Sequence, residues 1–168
     1  EDKTTLIFAC ICLGLTLRRF ILLRVFEAVS PGVLQGMSEW TWALRFEYFG
    51  FVIATSGVYF LIAELVPSQW YRRAILVYVF ISAVYLLVIF TTPAMVYASL
   101  LDHYQIAIVI FGALCVVHLV VATYQRNSLA PILLAGFAVV FSATVHDVMM
   151  GQLTNVYLGS YGFIFFIF

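Results

Sequence analysis

Polar positions in this chain come in clumps and apolar ones in runs, and the runs are long. Stretches bounded by charges or turn residues lie at about 5–23, 46–66, 74–90, 104–124, 129–145 and from 156 onward. A hydrocarbon core about 30 Å thick takes roughly 20 helical residues per crossing, so five runs have about the length of a crossing, while the last, of about 13 residues, is too short to span. In lipid every backbone N–H and C=O must be paired within the protein, and no run shows the dyad alternation of a barrel strand. The pattern therefore predicts an all-α polytopic transmembrane helical bundle, with about six helices, as one domain over residues 1–168. Ser30-Pro31-Gly32, Pro67-Ser68-Gln69-Trp70, Thr91-Thr92-Pro93 and Arg126-Asn127-Ser128 carry the breakers and caps expected of loops. Trp40, Trp42 and Trp70 fall beside helix ends, where an amphipathic ring suits the membrane–water boundary.

Composition makes the bilayer the first partner, since 65% of the residues are hydrophobic and 10% charged, with a mean hydropathy of +1.11. Eight Lys and Arg balance eight Asp and Glu, which leaves no basic surface for phosphate neutralisation and argues against nucleic acid as a partner. Cys10, Cys12 and Cys115 all lie in apolar runs and are expected to be small core residues rather than a disulfide framework. Cys10 and Cys12, two apart on a helix, point to different faces and do not share a metal. The chain opens on Glu1 without an initiator Met and its last apolar run stops at Phe168, so both ends are expected to be cut, and no signal peptide is expected.

Charge counting does not orient the bundle by itself: Lys3, Arg72, Arg73 and Arg126 fall on one side, and Arg18, Arg19, Arg24 and Arg45 on the other. Arg18, Arg19 and Arg24 lie within or beside the first apolar run and are expected to pair with Glu27 or Glu39. Discounting them places Arg72, Arg73 and Arg126 in the cytoplasm.

Candidate chemistry is limited by what the chain lacks. Lys3 is the only lysine and precedes the first helix, so a retinal Schiff base buried mid-helix is excluded. An ionisable residue costs roughly 2.5–3.5 kcal/mol at a helix centre on insertion scales. Most here are expected near helix ends: Arg45 and Glu47 beginning the second helix, Asp102 and His103 the fourth, His146 and Asp147 ending the fifth. Alternation of crossings puts all three pairs on one side of the membrane. Functionally they form a ligand-binding or pH-responsive polar mouth; blandly, they are boundary charges that cap helices or meet lipid headgroups. The same histidines and aspartates lack any His-x-x-x-His or His-Glu-x-x-His spacing, so neither a metal nor another cofactor is expected. His118, well inside the fourth helix, is expected to bond a neighbouring helix. No nucleophile elbow or phosphate-cradling loop appears, and no catalytic residue is assigned. Gly50, Ala54 and Gly57 give the second helix a small-residue face for close packing, with Glu64 further along the stripe and Arg72 or Arg73 within its reach across the turn.

The order of these signals resembles the membrane domain of the bacterial seven-transmembrane receptors with diverse intracellular signalling modules. Arg45-Phe46-Glu47-Tyr48 resembles the basic-x-Glu-Tyr opening of that family's third helix, and Thr92-Pro93 followed by Tyr104-Gln105 its Thr-Pro loop and next helix start. His146-Asp147-Val148-Met149 resembles its Asn-Asp-Ile-Leu-Tyr segment, and Tyr157-Leu158 with Gly162-Phe163-Ile164-Phe165 the start of its seventh helix. His146 stands where Asn is usual, Met150 where Tyr is usual, and Ser160 near an expected Pro. The resemblance implies that the family's first helix is missing at the N-terminus, that Arg45, Asp102 and Asp147 face outside, and that the chain lies in the bacterial inner membrane. It implies a sensory and signal-transducing domain, not itself an enzyme, that relays an extracytoplasmic ligand or sensor domain to a cytoplasmic signalling module in cis. Outputs of this type work in pairs, which implies a homodimer. The alternatives are an intramembrane metal-dependent hydrolase and a small-solute transporter; the latter calls for binding groups near the midplane on broken helices.

Overall fold

A computed structural model describes the backbone of residues 2–22 and 37–150, and these form five α-helices, the last four joined by short turns. They are α1 (Asp2–Leu22), α2 (Met37–Leu65), α3 (Gln69–Thr91), α4 (Ala94–Tyr124) and α5 (Ala130–Met150). No strand occurs among the described residues. Three stretches, Thr41–Leu65, Gln69–Thr91 and Ala94–Tyr124, are long and apolar enough to cross a membrane, the build of an integral membrane protein. The apolar parts of α1 and α5, Lys3–Leu17 and Ala130–His146, are shorter. The sixth run, from 156 onward, lies outside the described residues, as do the side chains of Arg18, Arg19 and Glu39 and all of Arg24 and Glu27.

The helices begin well before the apolar runs. α2 starts at Met37 rather than Phe46, α3 at Gln69 rather than Ala74, and α4 at Ala94 rather than Tyr104. Hydropathy marks the hydrocarbon level, whereas backbone hydrogen bonding continues into the headgroup region, where charged side chains are solvated. The 31 residues of α4 rise about 46 Å at ~1.5 Å each, well beyond a core of about 30 Å. Arg45 and Asp102, expected at helix starts, are instead each the ninth residue of α2 and α4.

Turn chemistry explains the breaks. Ser68 accepts the first bond of α3 from Arg72 N–H at 3.0 Å, and Pro93, with no N–H to donate, ends α3 and starts α4. After α4, Arg126 adopts φ 62°. Its N–H donates to Thr123 O at 3.0 Å and that of Asn127 to Ala122 O at 3.1 Å, the paired bonds of a Schellman ending on a residue other than glycine. Asn127 Oδ1 then accepts from Leu129 N–H at 3.0 Å ahead of α5. Along the helices, hydroxyls turn back onto the preceding turn: Thr16 to Cys12 O at 2.7 Å, Thr55 to Phe51 O at 3.0 Å and Thr123 to Leu119 O at 2.8 Å. These polar side chains are thus satisfied without water.

Backbone contacts divide the chain into two compact units. The first comprises Glu1–Leu61 and Val79–Leu101. Here the small-residue face of α2 receives α1: a Cβ on Gly14 would lie 2.6 Å from Gly50 O, and one on Gly57 would run into Ile11. Ile11 and Ile89 are fully buried, with Val52, Ala54 and Tyr97 beside them in the core of this unit. The second unit comprises Ile62–Tyr78 and Asp102–Phe168, with Ile62, Tyr78, Ile108, Cys115 and Leu119 at its centre. Only Cys115 of the cysteines meets the expectation of a core residue; Cys10 is exposed and Cys12 half-exposed, because they lie on faces of α1 turned from α2. All three are free thiols.

Aromatics on α3 and α4 recur every seven residues, all buried but the half-buried Phe111: Tyr71, Tyr78 and Tyr85 on one helix, Tyr97, Tyr104, Phe111 and His118 on the other. Every tyrosine of this set is at most 5% exposed. In the first unit Tyr85 donates its hydroxyl to Tyr97 O at 3.1 Å. In the second, the Tyr78 and Tyr104 hydroxyls bond each other at 3.0 Å, Tyr78 packs on Phe111 at 5.1 Å between centroids, and Tyr71 stacks on His118. A seven-residue repeat keeps one stripe of each antiparallel helix against the other, and hydrogen bonds at the polar tips of Tyr78, Tyr85 and Tyr104 let these three be buried there.

Two outcomes follow from this packing. Gly14→Ala is expected to cost about 1–3 kcal/mol by forcing α1 off α2, read as a lower midpoint of unfolding in mixed micelles. Tyr78→Phe and Tyr104→Phe are each expected to cost ~1 kcal/mol by removing the bond between the two hydroxyls, and the double variant less than their sum; strict additivity would contradict the pairing.

Candidate functional site

The expected polar mouth is distributed over both units. Arg45 and Glu47 belong to the first; Asp102, His103, His146 and Asp147 belong to the second. Asp102 and His103 are exposed, Glu47 and His146 are half-buried, and the side chain of Asp147 lies outside the described residues. The element that the structure builds around is Arg45.

Arg45 is the fifth residue of the span beginning at Thr41. Its Nη2 donates to Thr92 O, 3.2 Å away, in the turn between α3 and α4. Thr92 O is available because helix hydrogen bonding has stopped ahead of Pro93, and the Thr92 hydroxyl is already occupied on Val88 O at 2.7 Å. One face of the guanidinium is covered by the Trp42 ring, 4.9 Å from centroid to Cζ, a cation–π contact three residues back on the same helix. The guanidinium also faces the hydroxyl of Tyr97, yet both that hydroxyl and Arg45 Nε are buried without a hydrogen-bond partner. Tyr97 is fully buried, its ring meeting Tyr48 edge-on at 5.4 Å. Phe49 meets Phe90 edge-on at 5.8 Å, which holds the start of α2 against the end of α3. Among the described residues no carboxylate pairs with Arg45: its partners are rings and one carbonyl.

Sequence reasoning found Arg45 but missed Trp42, Thr92 and Tyr97 as its neighbours. Trp42 was legible only as a boundary ring, which its 49% exposure supports. Tyr97 could have been found from the seven-residue spacing that it shares with Tyr104.

A second polar cluster lies at the other end of α3, wholly in the second unit. His118, 3% exposed, bonds Val66 O through Nε2 at 2.9 Å. A carbonyl only accepts, so Nε2 carries the proton. Val66 follows the end of α2 just before Pro67, and its carbonyl has no helical partner; His118 supplies one and ties the α2–α3 turn to α4. The imidazole is stacked on Tyr71, 4.3 Å between centroids at 14°, and Trp70 meets it edge-on at 5.4 Å. His118 thus bonds a neighbouring segment, as expected for a lone intramembrane histidine. At the same turn Arg72 lies 3.5 Å from Glu64, the pairing anticipated across this loop, with both side chains solvent-accessible. An exposed pair of this kind adds little stability.

Among the described residues no three His, Cys, Asp or Glu come together to hold a metal ion. Comparison with protein-family models, with curated proteins and with solved structures gives no match in any of the three. What the fold and its clusters define is a helical membrane protein with one aromatic-flanked cation at the α3–α4 turn and one histidine tie at the α2–α3 turn.

His118→Phe preserves the ring stack but leaves Val66 O without a donor. It is expected to lower stability by about 1–3 kcal/mol, with faster hydrogen exchange confined to the α2–α3 turn; unchanged exchange there would contradict the tie.

Proposed function

We propose that this chain is the sensory and signal-transducing membrane domain of a bacterial inner-membrane receptor, a bundle of about six crossings that passes an extracytoplasmic signal to a cytoplasmic module in cis. The observation that carries this reading is the hydrogen bond from Arg45 to Thr92 O. It joins two segments, Arg45-Phe46-Glu47-Tyr48 and Thr92-Pro93, through which the chain resembles the seven-transmembrane receptor family, although they are 47 residues apart in sequence. A resemblance made of loose patterns is strengthened when two of them meet in space.

A receptor of this kind needs two helix packings and a ligand with different contacts in each. α2 carries Arg45 near its start and Glu64 and Leu65 at its end, so a displacement of this one helix acts on the α3–α4 turn through Thr92 and on the α2–α3 turn through Val66. The polar mouth, with Arg45, Glu47, Asp102, His103, His146 and Asp147, receives the signal on the outside, and Arg72, Arg73 and Arg126 face the cytoplasm. The receptor works as a homodimer.

The test is Arg45→Gln and Asp147→Asn in the full-length protein, with output assayed at matched expression. At least one is expected to shift the output by roughly tenfold, the effect of about 1.4 kcal/mol of differential stabilisation; unaltered output in both would sink the reading.

A further inference from the structure

We infer that Arg45 and Tyr97 form a binding site for one oxyanion group, a phosphate or carboxylate, flanked by Trp42. A guanidinium presents five N–H donors in a fixed plane; here Nη2 donates to Thr92 O, and the buried Nε meets no acceptor. Beside it the fully buried Tyr97 hydroxyl is likewise unpartnered. Two covered donors, one on the guanidinium and one on a hydroxyl within reach of its charge, are complementary to a group with several acceptor oxygens. Among the described residues no carboxylate takes that place. The Trp42 ring covers one face of the cation but accepts no in-plane hydrogen bond, so it shields the charge and leaves the donor edge to be filled.

The surroundings fix the depth. Trp42, Phe46, Met95 and Val96, on α2 and α4, are all exposed apolar residues. The site therefore opens at the level where headgroups meet acyl chains, within reach of a lipid phosphate and of a solute carboxylate or phosphate arriving from water. Arg45 as a whole is only part-buried: the anion arrives on its open side, and Nε and the Tyr97 hydroxyl are the donors it gains as it settles. This deepens the receptor reading, on which it rests for the role of the site but not for its chemistry.

The experiment uses the protein in nanodiscs with two arms. In the lipid arm, binding of spin-labelled phosphatidylglycerol is compared with that of spin-labelled phosphatidylcholine; in the solute arm, inorganic phosphate and acetate are titrated into phosphatidylcholine discs and followed by Trp42 fluorescence, with Trp42→Phe as the blank. Saturable binding in either arm, weakened at least tenfold by Arg45→Gln and severalfold by Tyr97→Phe, supports the site and names its source. Tyr97→Phe keeps the charge and the ring, so it remains informative if Arg45→Gln fails to fold. No saturable binding in either arm, or binding indifferent to both substitutions, overturns the inference. Anion binding with output unchanged by the anion would count against the receptor reading and leave the site standing; output that depends on Arg45 without anion binding would do the reverse.

Discussion

Inside a bilayer no water is available to complete a hydrogen bond, so each polar group in the spans must find its partner in the protein. Most of the specific features of this structure are answers to that one demand. The threonine hydroxyls fold back onto their own helices. Tyr78 and Tyr104 are buried with their hydroxyls turned to one another, and Tyr85 with its hydroxyl turned to a carbonyl. His118 reaches the carbonyl that Pro67 leaves open at the end of α2. Where the demand is met only in part, around Arg45 and Tyr97, the structure offers its one cluster of a cation with two covered donors among the described residues.

The same demand separates structural from functional polarity. His118 is the more buried of the two groups and the more obvious candidate for chemistry, but its ring is held by Val66, Tyr71 and Trp70. Arg45 is only part-buried, and its Nε is covered without an acceptor. A group held this way responds to what approaches it, whereas His118 responds to whatever moves the α2–α3 turn.

Helical class, the membrane as solvent and the close packing of α2 were legible in the sequence because each depends on a pattern that one helix carries alone. Gly50, Ala54 and Gly57 declare a face without naming what packs on it, and Gly14 and Ile11 of α1 were silent until the two were seen together. Helix starts were misjudged by nine or ten residues in α2 and α4, since hydropathy reports the solvent around a residue and not the hydrogen bonding of its backbone. Arg45 was legible as a costly residue in an apolar setting. Its partners were not, because Thr92 contributes a backbone carbonyl and Tyr97 a hydroxyl, and neither leaves a charge pattern to read.

The seven-residue spacing on α3 and α4 also restricts how these helices can move. A slide by one helical turn, about 5.4 Å, brings a residue four places away opposite each tyrosine, and apart from Ser82 those positions on the two helices, Ile75, Ile81, Ile89, Leu100 and Ile108 among them, have nothing to offer a hydroxyl. Within each unit the pairings work as detents: the two helices hold one register or must travel roughly 10 Å, a full heptad, to find another set of matched positions. Motion on the scale of a ligand therefore passes by them and falls to α1 and α2, which meet at glycines rather than at matched hydroxyls.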